Sequence, residues 1–303
     1  MRLKFHTVDV FTTRRFAGNP LAIVEGADDL ETPTMQVVAR EFNLSETIFV
    51  QTPDDPAHTA KVRIFMPTDE IPFAGHPTIG CAIHLAQKLH KGEGDFDTVI
   101  TLEEVAGLVP VAVRSVGGVV NAQFTAPVIP HVHEGQVPLA EIAADALGLD
   151  SVDIGFGDHR PGLFVGGPVF VFIPLASREA LAKARPAEPA WSRMTEAAGT
   201  VGVYCYTAGG DAPETDFRAR MFAPAGGIPE DPATGSASAI LAAQLLASGE
   251  LAEGLNAFDL LQGVEMGRPS QIGLEIDVAA GAIAAVRIAG SSVTVSAGEI
   301  EVG

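Results

Sequence analysis

The sequence predicts an α+β protein of two related halves, each combining strands with one strongly apolar helix. Two observations carry this. Residues 63–89, RIFMPTDEIPFAGHPTIGCAIHLAQKL, and residues 220–246, RMFAPAGGIPEDPATGSASAILAAQLL, align without a gap at an offset of 157, and ten of the 27 positions are identical. Ordinary composition would give about two. The identities run from Arg63/Arg220, Phe65/Phe222 and Pro67/Pro224 to Gln87/Gln244 and Leu89/Leu246. Each copy reads as a strand, a polar turn and an apolar helix. The second observation is the period-two alternation of apolar residues through much of the remaining chain, which is the mark of half-buried strands.

Taken in order, Lys4 to Phe11 alternates as a strand, TTRRFAGNP follows as a loop, and Leu21 to Val24 resumes as a strand. Thr32 and Pro33 read as cap and first turn of a helix. Met35, Val38, Ala39 and Phe42 recur at helical spacing, and Asn43-Leu44-Ser45 ends the run. ETIFVQ (46–51) and Lys61 to Met66 are strands. Pro77 fits the first turn of a helix to about Leu89, and KGEGD reads as a solvated loop. Strands at 98–102, 108–114 and 119–125 follow, the last two joined by a Gly117-Gly118 turn. APVIPHVHEGQVP (126–138) reads as the linker between halves, which places domains at 1–126 and 127–303. Beyond it, a helix from Leu139 stops at Gly148. Strands are expected at 151–155, 163–165, 169–174, 201–206 and 215–222, with short helices capped by Ser177 and containing Trp191. The segment 236–246 is Ala, Leu and Ile on nearly all sides, so that helix should be enclosed. Strands at 271–278, 282–288 and 293–300 complete the chain, with the last ones able to cross back onto the first domain.

A chain of 303 residues with 47% hydrophobic content supports two cores. The net charge of −19 argues against nucleic acid, whose phosphates want a basic face. It leaves room for a small anionic substrate held at helix N-termini. Two cysteines, Cys81 and Cys205, are too few for a disulfide framework and suit a reducing compartment. The first residues lack the apolar core of a signal peptide, and no run approaches the roughly 20 apolar residues of a membrane span. A cytoplasmic protein that meets neither membrane nor nucleic acid is expected.

Three polar spots recur at turns: Ser45-Glu46, Gly75-His76 and Glu230-Asp231, the last followed by Ser236. Two carboxylates and an imidazole make a usable set for moving protons on and off carbon. Backbone N–H groups at the two helix starts could hold a substrate carboxylate or a developing enolate. Each residue also has a plainer reading. Glu46 at a strand start is, taken by itself, usually a solvated edge residue. His76 before Pro77 reads as a helix cap, Asp231 before Pro232 as a turn dipeptide, and Ser236 as a small packing residue. The repeat favours function for His76 and Asp231, because it puts both turns in equivalent places. His131 and His133 lie in the linker without an acidic or Cys cluster, and His84 and His90 lack the i, i+4 spacing of a helical metal pair, so no metal is expected. No dinucleotide fingerprint, phosphate loop, GxSxG elbow or cofactor lysine motif is present, so no cofactor is expected either. Cys81 and Cys205 read as buried structural thiols.

DVFTTRRFAGNPLAIV, SETIFV, PFAGHPTIGCA and EDPATGSASAIL together resemble the PhzF family of phenazine-biosynthesis-like proteins, in the family's order and over nearly the whole chain. The resemblance implies the diaminopimelate epimerase-like fold: two similar domains, each a strand barrel around a central helix, with a cleft between them. It also implies a cofactor-free and metal-free isomerase, a homodimer, and a small carboxylate-bearing substrate. Carried over, Glu46 matches the family's proton-shuttling glutamate, and His76 and Asp231 its supporting histidine and aspartate. Asn19, Ser45, Gly75, Thr234, Gly235 and Ser236 fall at substrate-binding positions. Apolar walls, with Phe49 and Phe73 as candidates, would raise the pKa of Glu46. Epimerases of the wider fold place a cysteine at each turn. Here the turns read AGHP and EDPATG, so two-thiol racemisation is not expected. The alternatives are a thiol-independent epimerase using Glu46 and Asp231 as opposed carboxylates, and a non-catalytic small-molecule binder.

Overall fold

A computed structural model describes residues 1–91, 94–209 and 215–303. Two residues of the expected KGEGD loop, 92 and 93, lie outside the described residues. The chain divides into two compact units: residues 1–127 with 289–303, and residues 128–288.

The first unit contains β1 (Arg2–Val10), β2 (Asn19–Glu25), α1 (Thr32–Phe42), β3 (Glu46–Gln51), β4 (Ala60–Phe65), β5 (Glu70–Ile71), α2 (Gly75–His90), β6 (Phe96–Glu104), β7 (Gly107–Val116) and β8 (Val119–Thr125). The pairings run β1–β2–β3–β4–β6–β7–β8. The chain's last strand pairs with both β8 and β1, which closes the ring as a barrel of eight strands. Inside it lies α2, whose residues from Gly75 to Ala86 are all buried. Gly80 shows how tightly the helix is held. A Cβ there would sit 2.7 Å from Leu21 and 2.8 Å from Val10, so only glycine lets α2 rest on β1 and β2. α1 packs outside the barrel, where Met35, Val38 and Ala39 meet Phe49 and Phe65.

The second unit contains β9 (His131–Val132), α3 (Ala140–Leu147), β10 (Gly162–Val165), β11 (Val169–Pro174), α4 (Arg178–Lys183), α5 (Ala190–Ala198), β12 (Gly202–Ala208), β13 (Phe217–Ala223), β14 (Ile228–Asp231), α6 (Gly235–Ala247), β15 (Gly254–Gln262) and β16 (Ser270–Ala279). β17 (Ala282–Glu301) supplies residues to both units. The strand logic of the first unit recurs here. β2 and β3 are parallel, as are β11 and β12. The next pairs, β3–β4 and β12–β13, are antiparallel, and β4–β6 and β13–β15 are again parallel. β6–β7 and β15–β16 close the series as antiparallel pairs. α6 is buried from Ala237 to Leu245, because its residues are apolar all round. α3, α4 and α5 cover the other side around Trp191 and Phe222.

The aligned repeat is visible down to single side chains. Arg63 makes a two-pronged ion pair with Glu70 and lies over the Phe65 ring at 5.2 Å. Arg220 does the same with Glu230, 4.7 Å over Phe222. Each strand after the central helix ends in a polar residue that reaches back to a threonine at the helix start. Glu104 accepts from Thr78 at 2.7 Å, and Gln262 donates to Thr234 at 3.0 Å.

The structure corrects several sequence expectations. The N-cap of α1 is Glu31, with Thr32 already helical. Residues 151–153 form a 3-10 turn rather than a strand, closed by a capping box between Asp150 and Asp153. The linker carries β9, which pairs with β10. β15 (Gly254–Gln262) is a strand where none was expected. The two expected final strands are one, β17, which runs on through Gly290-Ser291-Ser292, where Gly290 packs its backbone against the Phe11 ring.

Candidate active site

β3 opens where the left-handed Asn43 ends α1, and its first residue is Glu46, set opposite Leu21 of β2. Strand alternation sends Thr47 and Phe49 to one face and Glu46 and Ile48 to the other. Phe49 therefore joins the α1 core, against Phe65 at 5.4 Å, and is no wall for Glu46. Phe73 is half-buried, edge-on to Phe124. Glu46 is 9% exposed, which removes the solvated-edge reading. Its Oε2 lies 3.3 Å from Nδ1 of His76, in the first turn of α2.

His76 is 3% exposed, and burial pushes its pKa down to about 3, against the pull of a hydrogen bond to the Pro20 backbone. Proline has no N–H, so its carbonyl must accept. The imidazole is neutral at ordinary pH. Its Nδ1 also lies 3.4 Å from Nδ2 of fully buried Asn19, the first residue of β2. Nε2 of His76 is buried and makes no hydrogen bond among the described residues. Asn19 is delivered by a turn that only glycine allows: Gly18 has φ +68°, and a Cβ there would lie 2.2 Å from the Val10 carbonyl. Asp9 braces the same loop by accepting from the Phe16 N–H at 2.7 Å. Ser45 is half-buried beside Glu46, and Gly75 opens α2 as a buried residue.

In the second unit Asp231 ends β14 and is 5% exposed. Its Oδ2 accepts from Thr234 Oγ1 at 2.6 Å. Thr234 precedes α6 in the cap position, followed by buried Gly235 and half-buried Ser236. The fully buried Gln262 amide braces the turn: Nε2 donates to the Asp231 carbonyl at 2.8 Å, and Oε1 accepts from the Thr234 N–H at 3.1 Å.

The structure thus gathers Asn19, Glu46 and His76 in the first unit, and Asp231 and Thr234 in the second. Sequence reasoning missed the two braces, Glu104 and Gln262. Both sit at the buried end of an alternating strand, where a polar side chain is out of place. Burial pushes the Glu104 carboxyl up to about 8, against its Thr78 hydrogen bond. Also missed was His159, buried between the Tyr206 hydroxyl at 2.7 Å and Glu250 at 3.0 Å. Both thiols are free and buried. Burial, with Glu104 and Glu25 nearby, drives the Cys81 pKa far up, and burial pushes Cys205 up to about 12. Neither is a thiolate at neutral pH. His131 is exposed, as a linker residue should be. A further set of ligand atoms, from His6, Glu25 and His84, lies within 4.8 Å of one another, on residues whose sequence spacing did not connect them.

Comparison with known proteins places the chain. The family model described as phenazine biosynthesis-like protein matches residues 8–298. An uncharacterized isomerase of Mesorhizobium japonicum is 42% identical over 96% of both chains. The trans-2,3-dihydro-3-hydroxyanthranilate isomerase of Pseudomonas aeruginosa is 35% identical over 97% of this chain and 98% of its own. A Bacillus anthracis protein of the PhzF family, 22% identical, shares the fold with a TM-score of 0.86 over 99% of both chains. Relatives matched over nearly the whole of this chain are named isomerases, and this protein is an isomerase. It belongs to the phenazine biosynthesis-like (PhzF) family.

Proposed function

We propose that the protein moves a proton between carbons of a small, carboxylate-bearing substrate, with Glu46 taking and returning the proton. The observation that carries this is the buried contact between Glu46 and His76. A carboxylate held away from water can exchange a proton with carbon without first shedding a hydration shell. His76, neutral by burial, orients it. An Nδ1–H tautomer shares its proton between the Pro20 carbonyl and the Glu46 carboxylate and leaves Nε2 as an acceptor for a substrate hydroxyl or amine. Asp231 is assigned a supporting role, with Asn19, Ser45, Gly75, Thr234, Gly235 and Ser236 as substrate contacts. The first turns of α2 and α6 suit a substrate carboxylate. Neither cofactor nor metal takes a step in this reading; the family resemblance supports a homodimer, and the two lone cysteines support the cytoplasm.

The relative's substrate, trans-2,3-dihydro-3-hydroxyanthranilate, is the first compound to test. Incubation in D2O should yield a product with a shifted double bond and deuterium at a ring carbon. Inversion at a single carbon of some other small acid would instead favour an epimerase using Glu46 and Asp231.

A further inference from the structure

β1 and β2 pair antiparallel with His6 opposite Ile23 and Val8 opposite Leu21. His6, Val8 and Val10 therefore share a face with Leu21, Ile23 and Glu25. That face meets α2, where Gly80 touches Val8, Val10 and Leu21. One helical turn after Gly80 comes His84, and one turn after that Lys88. The packing forced by Gly80 thus brings His84 onto His6 and Glu25.

The geometry is specific. Glu25 Oε1 lies 2.8 Å from His84 Nε2 and 3.3 Å from His6 Nε2, and all three atoms fall within 4.8 Å of one another. The two imidazoles lie 4.4 Å apart, tilted by 44°. Lys88 holds the other oxygen, Oε2, and so turns Oε1 toward the two rings. In a tetrahedral zinc site with bonds of about 2.0–2.1 Å, ligand atoms stand roughly 3.3 Å apart. The His6–Glu25 separation already meets this, and the His84–Glu25 pair needs to open by only about half an ångström. The side chains of His84 and Glu25 are 8% and 16% exposed, and that of His6 is 24% exposed, which gives an entry path.

We propose that His6, Glu25 and His84 form a divalent transition-metal site that takes zinc, with the fourth position open to water. Two imidazoles and a carboxylate are a zinc donor set and a poor magnesium one, since magnesium prefers oxygen ligands. The carboxylate bridges the metal and Lys88, so Lys88 acts as the outer partner that orients a ligand. Its positive charge weakens the site relative to one without it. None of the three residues is assigned to the proton transfer, so the role is structural: the metal ties α2 to the β1–β2 pair.

The test is calorimetric titration of the chelator-stripped, full-length protein with zinc chloride and, separately, magnesium chloride, with melting temperature read in parallel. The site predicts one zinc per chain, a raised melting temperature and no magnesium binding. His6→Asn and His84→Gln should each weaken zinc by at least the roughly 10–100-fold that loss of an outer partner costs. His131→Asn should leave it unchanged. Because a His84 variant can fail to fold, cobalt substitution of the wild type gives an independent reading, with a tetrahedral visible spectrum expected. Zinc binding that survives both ligand variants, or that disappears with His131→Asn, would overturn the proposal. So would an octahedral cobalt spectrum or no saturable binding.

Discussion

At the scale of single residues, burial decides what each ionisable group can do. Glu104 shows it most directly. Its folded-state pKa is about 8, raised from 4.5 by burial. Between those values the folded protein keeps a proton that the unfolded chain has released, so unfolding becomes easier as pH rises through the window. The group's contribution is whole below the unfolded value and is lost as pH approaches 8, a change on the order of 3 kcal/mol by pH 7. Glu104→Gln keeps an acceptor for Thr78 and removes the titration. The variant should gain stability over the wild type progressively between pH 5 and 8, measured as the difference of their denaturation midpoints. Parallel curves would mean that Glu104 is ionised in the folded state. His76 carries the opposite sign, since its folded pKa of about 3 lies below 6.5 and its contribution is lost as pH falls through that window. The thiols give a second prediction. With both pKa values driven up by burial, Cys81→Ala and Cys205→Ala should leave turnover largely intact while costing roughly 1 kcal/mol of packing each. A loss of activity in a folded variant would restore a thiol mechanism.

At the scale of elements, what could be read from the chain was what local pattern controls. β3 was legible to the residue, because ETIFVQ is β-branched and aromatic between turn signals. The ends of α1 and α3 were legible from Asn43 and Gly148, both left-handed. The start of α1 was not, because Thr32 followed by Pro33 fits two adjacent cap positions. β15 was missed because GLNAF has no alternation of its own and is held by β16. The zinc ligands were invisible for a related reason. A scan for spaced histidines finds ligands on one helix, whereas these come from two strands and a helix joined by register. Gln262 illustrates the cost of such a hidden contact. Its amide satisfies the Asp231 carbonyl and the Thr234 N–H, both buried. Gln262→Leu removes both of these buried hydrogen bonds and should cost about 1–3 kcal/mol, visible as an earlier urea midpoint. A shift below about 0.5 kcal/mol would show that the turn holds without it.

At the scale of the whole molecule, the repeat is the organising fact. The offset of 157 seen in the sequence reappears as matching strand order, matching Arg–Glu–Phe clusters and matching braces from the strand after each helix. No described helix is long and apolar enough to cross a membrane. The candidate residues were legible because motif and turn coincide at Glu46, His76 and Asp231. Their geometry was not, since which face of β3 carries Glu46 depends on α1 covering the other. The central claim is that Glu46 carries the migrating proton, and deuterium incorporation from D2O tests it most directly. Glu46→Gln keeps size and hydrogen bonding but cannot exchange a proton. It should lower incorporation by at least the roughly 10²–10⁴-fold that a positioned acid–base group contributes, while substrate binding persists. Asp231→Asn should retain more activity than Glu46→Gln. Undiminished incorporation in Glu46→Gln, with loss in Asp231→Asn, would contradict the account and move the proton to Asp231.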